Sequence, residues 1–127
     1  MAFQKHKGHP KVERAKYEID ATGKVVGRVA TEASRVLIGK HKPSYVPNLD
    51  QGDFVIIKNA GKIEFTGKKW EQKQHFRSSN RPGGIKAVTM SKLREEKPER
   101  VLQHAIKYML PKNKLQKDRM NRLTIEN

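Results

Sequence analysis

The sequence predicts a single α/β domain built on a mainly parallel sheet, and three observations carry that prediction. Strand-like segments alternate with helix-period segments along the chain, which is the pattern of βαβ units. The run FVII at 54–57 is continuously apolar and rich in β-branched residues, as suits a strand covered on both faces by helices. The length of 127 residues is that of one ordinary domain, able to remove about two-thirds of its unfolded surface from water.

In chain order, residues 1–16 read as a basic arm: Lys5, Lys7, Lys11, Arg14 and Lys16 face only Glu13, and Gly8 and Pro10 interrupt any helix. YEID at 17–20 alternates apolar and acidic residues, as a short strand does, and 21–26 is a loop. Over 27–38, Val29, Ala30, Ala33, Val36 and Leu37 recur on one helical face, while Arg28, Thr31, Glu32 and Arg35 take the other. Gly39 stands where that helix needs a left-handed terminating residue, and Lys40, His41 and Lys42 follow at the negative end of its dipole. The corner GKHKPSYVP at 39–47 is therefore a helix stop that is also rigid and positively charged. After the apolar strand the chain turns at 59–62, and 63–66 suits a further strand. Residues 70–78 are polar with Trp70, His75 and Phe76 interleaved, which reads as an edge strand or ordered loop, and SSNRPGG at 78–84 is loop by composition. Helix formers return from Thr89 and break at Pro98, which disfavours helical geometry at Lys97 and opens a new helix itself. Val101, Leu102, Ala105, Ile106 and Met109 share one face of that helix before Pro111 stops it. The core thus spans 17–111, and 112–127 reads as a basic tail packing on the core and on RNA.

Charge decides the class of partner. The chain carries 28 Lys and Arg against 13 Asp and Glu, a formal net charge of +15, so it repels itself until a polyanion supplies the counter-charge. No apolar run approaches the roughly 18 residues that span a bilayer, and the N-terminus has no apolar segment behind its lysines, so neither a membrane nor a secretory signal is expected. There is no cysteine, which removes disulfides and thiolate metal sites, and an intracellular protein is expected. Nucleic acid is the expected partner. Basic candidates for it are spread over every loop: Lys5, Lys7 and Lys11 in the arm; Lys24, Arg28 and Arg35 around the first helix; Lys40, His41 and Lys42 at the corner. Lys68, Lys69, Arg77, Arg81 and Lys86 follow, and then Lys112, Lys114, Lys117, Arg119 and Arg122. Trp70, Phe76 and His75 are candidates for stacking on unpaired bases.

Other chemistries fit less well. TGKVVGR at 22–28 places glycines before a helix, but three residues separate them and no Gly-Lys-Ser/Thr follows. GKIEFTGKK at 61–69 has five residues between its glycines and Lys69 in place of the hydroxyl. A Walker loop is therefore excluded, although N–H groups at a helix start beside Lys24 and Arg28 still suit a backbone phosphate. The histidines, His6, His9, His41, His75 and His104, lack ligand spacing. Asp20, Asp50 and Asp53 have no clustered nucleophile and base, and read as solvated or loop-capping carboxylates. No cofactor, metal, small-molecule substrate or catalytic activity is expected.

The strings IDATGKVVGRVATEASRVLIGKHKPSYVP, DQGDFVIIKNAGKIEFTGKK, RPGGIK, KPERVLQHAIKYMLPKNKL and MNRL run in order over 19–123, about four-fifths of the chain. In these the sequence resembles the large-subunit ribosomal protein L-thirteen family of the bacterial and organellar type. The resemblance implies a four-stranded parallel sheet between helices, burial in large-subunit rRNA beside neighbouring large-subunit proteins, a role in early subunit assembly, a place in the cytoplasmic ribosome and no catalysis. It also implies RNA contacts, or supports for them, at Lys40, His41 and Lys42, at Gly67, Lys68 and Lys69, at Gly83, Gly84 and Lys86, and at Met109, Leu110, Pro111 and Lys112. Two positions depart from the family pattern: Tyr108 and Gln116 stand where glycines are usual. A free-standing basic RNA- or DNA-binding protein is the competing reading, and an RNA-modifying enzyme a third that lacks a cofactor loop or catalytic cluster. Co-sedimentation with large subunits at moderate salt separates the first two.

Overall fold

A computed structural model describes residues 12–127. The described chain runs β1 (Lys16–Asp20), α1 (Val26–Ile38), β2 (Phe54–Lys58), a 3-10 turn (Ala60–Lys62), α2 (Lys69–Gln72), β3 (Gln74–Ser78), β4 (Ile85–Thr89), α3 (Met90–Glu96), α4 (Pro98–Met109), α5 (Leu115–Asn121) and β5 (Leu123–Ile125). The α/β class and the parallel sheet are as expected. The expected four strands are not: β1, β2 and β5 form a three-stranded parallel sheet with β2 in the middle, and β3 and β4 form a separate antiparallel hairpin. Residues 63–66 fall short of a strand because the 3-10 turn and the left-handed Gly67 bend the chain on either side, leaving one parallel bridge from Glu64 to Val25.

Register explains which face of the sheet is buried. Ile19, Ile57 and Ile125 stand side by side, as do Tyr17, Val55 and Leu123, and Val55 and Ile57 are sealed in the core. The next row holds Glu18, Ile56 and Thr124, with Lys58 Nζ 2.7 Å from Glu18 Oε2 at its edge. Among the described residues no helix covers that polar row, so the sheet is packed on one side and is not sandwiched between helices. The apolar run of β2 misleads because Phe54 and Ile56, although apolar, point to this open side.

The core forms where α1 and α4 pack together over β2. α1 contributes Val26, Val29, Ala30, Ala33, Leu37 and Ile38, and α4 contributes Val101, Leu102 and Ile106. Pro98 opens α4 at its first turn, as the sequence predicts, and the separate α3 before it buries Met90 and Leu93. Past Pro111 the chain does more than trail as a tail, since α5 leads into β5, the third strand of the main sheet. At the other end the arm is tied to the fold: Arg14 donates to Asp50 O and Gly52 O, Ala15 N–H to Asp53 Oδ1, and Lys16 opens β1. The arm residues Lys5, Lys7 and Lys11 lie outside the described residues.

Candidate nucleic-acid interface

The corner at 39–47 comes first, because it shows how this chain spends charge. Gly39 has φ 86°; its N–H reaches Val36 O and the Lys40 N–H reaches Arg35 O, a closure that satisfies two of the last carbonyls of α1. Residues 50–53 then cross this helix end so tightly that a Cβ on Gly52 would lie 1.7 Å from Leu37 O. The crossing delivers two aspartates to the interior. Asp53 is 0% exposed; Lys42 Nζ lies 2.6 Å from its Oδ1 and also donates to Glu13 O, and His41 Nε2 lies 2.8 Å from Oδ2 with the Tyr17 ring edge-on behind it. Burial opposes ionisation of Asp53, but the hydrogen bonds from Lys42, Ala15 N–H and His41 outweigh it and hold the carboxyl below the usual carboxylate range.

Asp50 is the second such centre. Arg122 grips it with NH1 at 2.5 Å and NH2 at 2.7 Å, Arg119 Nε is 3.6 Å away and Arg14 NH2 3.6 Å. Arg119 and Arg122 are only 1% and 9% exposed. Burial again opposes ionisation, and the hydrogen bonds and charge of Arg122, with Arg14 and Arg119, overcome it and lower the pKa. Of the sequence's basic candidates, His41, Lys42, Arg119 and Arg122 are thus turned inward, where they fix the corner and the start of the arm. The two acids are not the solvated carboxylates the sequence suggests, because the close crossing at Gly52 carries them inside. Asp20 does cap a loop: the Thr22 N–H, the Asn59 amide and the Thr22 hydroxyl hold its pKa down to about 2.

The other described candidates face solvent. Lys24 is loosely paired with Glu32 at 3.8 Å, and Arg28, Arg35 and Lys40 are exposed along and beyond α1. Arg77 and Lys86 stand opposite each other across the β3–β4 hairpin, Arg81 and Gly83 are exposed at its tip with Gly84 partly so, and Lys68 and Lys69 are exposed at α2. Lys112, Lys114 and Lys117 are exposed around α5. The stacking candidates separate. Trp70 is occupied by Phe65, edge-on at 4.5 Å, and by the Arg94 guanidinium 4.6 Å over its ring, whereas Phe76 is 63% exposed and His75 packs against His104 at 3.7 Å between centroids.

An apolar cleft joins several of these elements: the start of α1 (Val25–Gly27), α2, β3 and the last turns of α4 enclose it, with Lys69 and Lys73 on its wall. A second hollow adjoins it across His104 and Tyr108, lined by Lys107, Lys112, Asn113, Lys114 and Gln116. Gln116 holds its rim in place by donating to Lys107 O at 2.8 Å, at the C-terminal end of α4. Lys73 and Lys107 were not singled out in the sequence, where His104 was weighed only as a metal ligand and Tyr108 noted only as a departure from the family pattern. The signal for the aromatic pair was the i, i+4 spacing of His104 with Tyr108, which places both on one face of α4. Among the described residues no group of three or more His, Asp or Glu is placed to hold a metal, and no helix is long and apolar enough to cross a membrane.

Comparison with known proteins fits this basic, one-sided α/β domain. A relative from Chlorobium phaeobacteroides, the large ribosomal subunit protein uL13, is 45% identical over 126 residues, covering 98% of this chain and 85% of the relative. The protein of the same name from Staphylococcus carnosus is 53% identical over 104 residues, 82% of this chain and 72% of the relative. That of Roseiflexus is 50% identical over 114 residues, 90% and 78%. The family model described as ribosomal protein L13 matches residues 14–125, from the arginine that anchors the arm to the last residue of β5, and with these relatives it shows that the chain belongs to the ribosomal protein L13 family.

Proposed function

We propose that the protein is a structural constituent of the large ribosomal subunit in the cytoplasm, held there by large-subunit rRNA and neighbouring large-subunit proteins, supporting early assembly and catalysing no reaction. The observation that carries this reading is the family match over 14–125 on a chain of net charge +15 whose best-buried acids are consumed internally. Because Asp50 and Asp53 are neutralised inside, the exposed lysines and arginines of α1, α2, the hairpin and α5 are left for phosphates, together with Lys5, Lys7 and Lys11 of the arm. The hairpin tip, with Gly83 and Gly84, admits close approach of an RNA backbone. His41, Lys42, Arg119 and Arg122 act behind the surface, positioning the corner and the arm.

The test is sedimentation. The tagged protein should travel with large subunits at moderate salt, and the isolated protein should bind an rRNA fragment with a log–log salt slope of about −0.7 to −0.9 per neutralised phosphate. Salt-sensitive RNA binding without co-sedimentation would instead favour a free-standing nucleic-acid binder, and salt-insensitive affinity would contradict the phosphate contacts.

A further inference from the structure

Tyr108 sits on the outer turn of α4 between two buried neighbours, Ile106 and Leu110, and is itself 71% exposed. An aromatic ring this exposed contributes little to the core. Its inner side is not bare: the His104 ring lies one turn back with its centroid 6.3 Å away and its plane within 28° of the tyrosine's, and the His75 ring backs His104 in turn. Burial, with the charges of His75, Lys107 and Arg100 around it, lowers the pKa of His104 and favours its neutral ring. The ridge made by Tyr108 and His104 separates the two hollows. On one side is the apolar cleft with Lys69 and Lys73 on its wall; on the other is the hollow with Lys107, Lys112 and Lys114.

We propose that this ridge is a receptor for one unpaired nucleobase of the bound RNA, which stacks on Tyr108 at the mouth of the apolar cleft while a flanking phosphate lies among Lys107, Lys112 and Lys114. The inference rests on the RNA-binding reading above and adds a base contact to it. Two features select a nucleotide over an apolar protein side chain. The ridge offers a flat aromatic face, which takes the face of any base, and cations bound it on both sides, which an uncharged side chain has no use for. Single-stranded and bulged RNA exposes such bases, whereas paired RNA does not.

The experiment uses the full-length protein and two synthetic RNA hairpins closed by the same loop, one with a fully paired stem and one whose stem differs only by a single bulged adenosine. Wild type should bind the bulged hairpin about 5- to 150-fold more tightly, the range for stacking one base on an aromatic ring. Tyr108→Leu, which keeps apolar bulk on the helix, should erase that preference and leave the paired affinity and its salt slope unchanged. Tyr108→Phe should retain the preference, and a thermal melt of each variant checks its fold. Equal affinity of wild type for the two hairpins, with a steep salt slope on both, would overturn the base receptor and leave the RNA-binding reading intact. So would a Tyr108→Leu variant that keeps the preference, or that loses affinity for both hairpins equally. If wild type showed that equal affinity and Tyr108→Leu then lowered incorporation into large subunits, the ridge would belong to a protein neighbour. Absence of salt-dependent binding to either RNA would remove the broader reading and this one with it.

Discussion

Gly39 closes α1 with φ 86°, and a Cβ there would sit 2.9 Å from the carbonyl carbon and oxygen of Gln51. The left-handed conformation alone penalises a side chain by about 1–2 kcal/mol, and the backbone contact adds to it, since a main-chain carbonyl cannot swing aside as a side chain does. Gly39→Val should therefore lower the unfolding free energy read from denaturant melts by more than that figure while leaving the exposed charges untouched. Just beyond it, the lysines of the corner divide. Lys40 is exposed, whereas Lys42 holds a carboxylate that is fully buried. Lys40→Ala should change stability by less than about 0.5 kcal/mol and reduce the salt slope of RNA binding by about 0.7–0.9. Lys42→Ala leaves Asp53 short of a partner and should cost about 1–3 kcal/mol, with RNA affinity falling only as far as the corner and arm are displaced. Denaturant melts beside salt titrations of the two variants check this, and identical effects from both would refute the division.

At the scale of elements, the decisive one is β5. Its residues, Leu123–Ile125, form the third strand of the main sheet, and the helix before it supplies Arg119 while Arg122 follows at its end. Removing 112–127 should therefore abolish cooperative unfolding rather than trim a tail, because it exposes an edge of β2 and strips Asp50 of two of its three arginines. A truncated protein with a sharp melt and unchanged far-UV spectrum would contradict it. The stop at Gly39, the helix of α1 and the break at Pro98 were legible in the sequence because each is decided locally, by a left-handed position, by a helical period and by a missing N–H. β5 and β4 were not, because nothing local marks them: LTI is a strand only through its pairing with β2, and Ile85 and Ala87 of β4 face solvent in a hairpin whose apolar residues do not report a core. The same reason governs the interface. Basic loops were visible as charge, but which bases turn inward depended on Gly52 bringing Asp50 and Asp53 under the end of α1, and the ridge depended on β3 reaching α4.

For the whole molecule, three hydrogen-bonded aspartates dominate the response to acid. Asp50 and Asp53 have lowered folded-state pKa values and that of Asp20 is about 2, against about 3.9 for an aspartate in the unfolded chain. Since each folded value lies below the unfolded one, the ionised carboxylates stabilise the fold fully above the unfolded value, and that contribution is lost as pH falls through 4 toward 2. A second effect has the same sign: protonating acids raises an excess that is already +15, and the surplus charge repels itself. Salt separates the two. At 1 M salt the Debye length is about 3 Å, so repulsion between exposed charges is screened, while Arg122 on Asp50 and Lys42 on Asp53 are partly or fully out of solvent and are screened much less. Thermal midpoints measured from pH 6 to pH 2 should decline gently at first, as protonation of His104 opposes its buried neutral ring, and then fall steeply below about pH 5, at low salt and at 1 M alike, with a shallower fall at 1 M. A flat profile at 1 M would mean that surface repulsion alone drives acid unfolding and that the two internal ion centres contribute nothing to it.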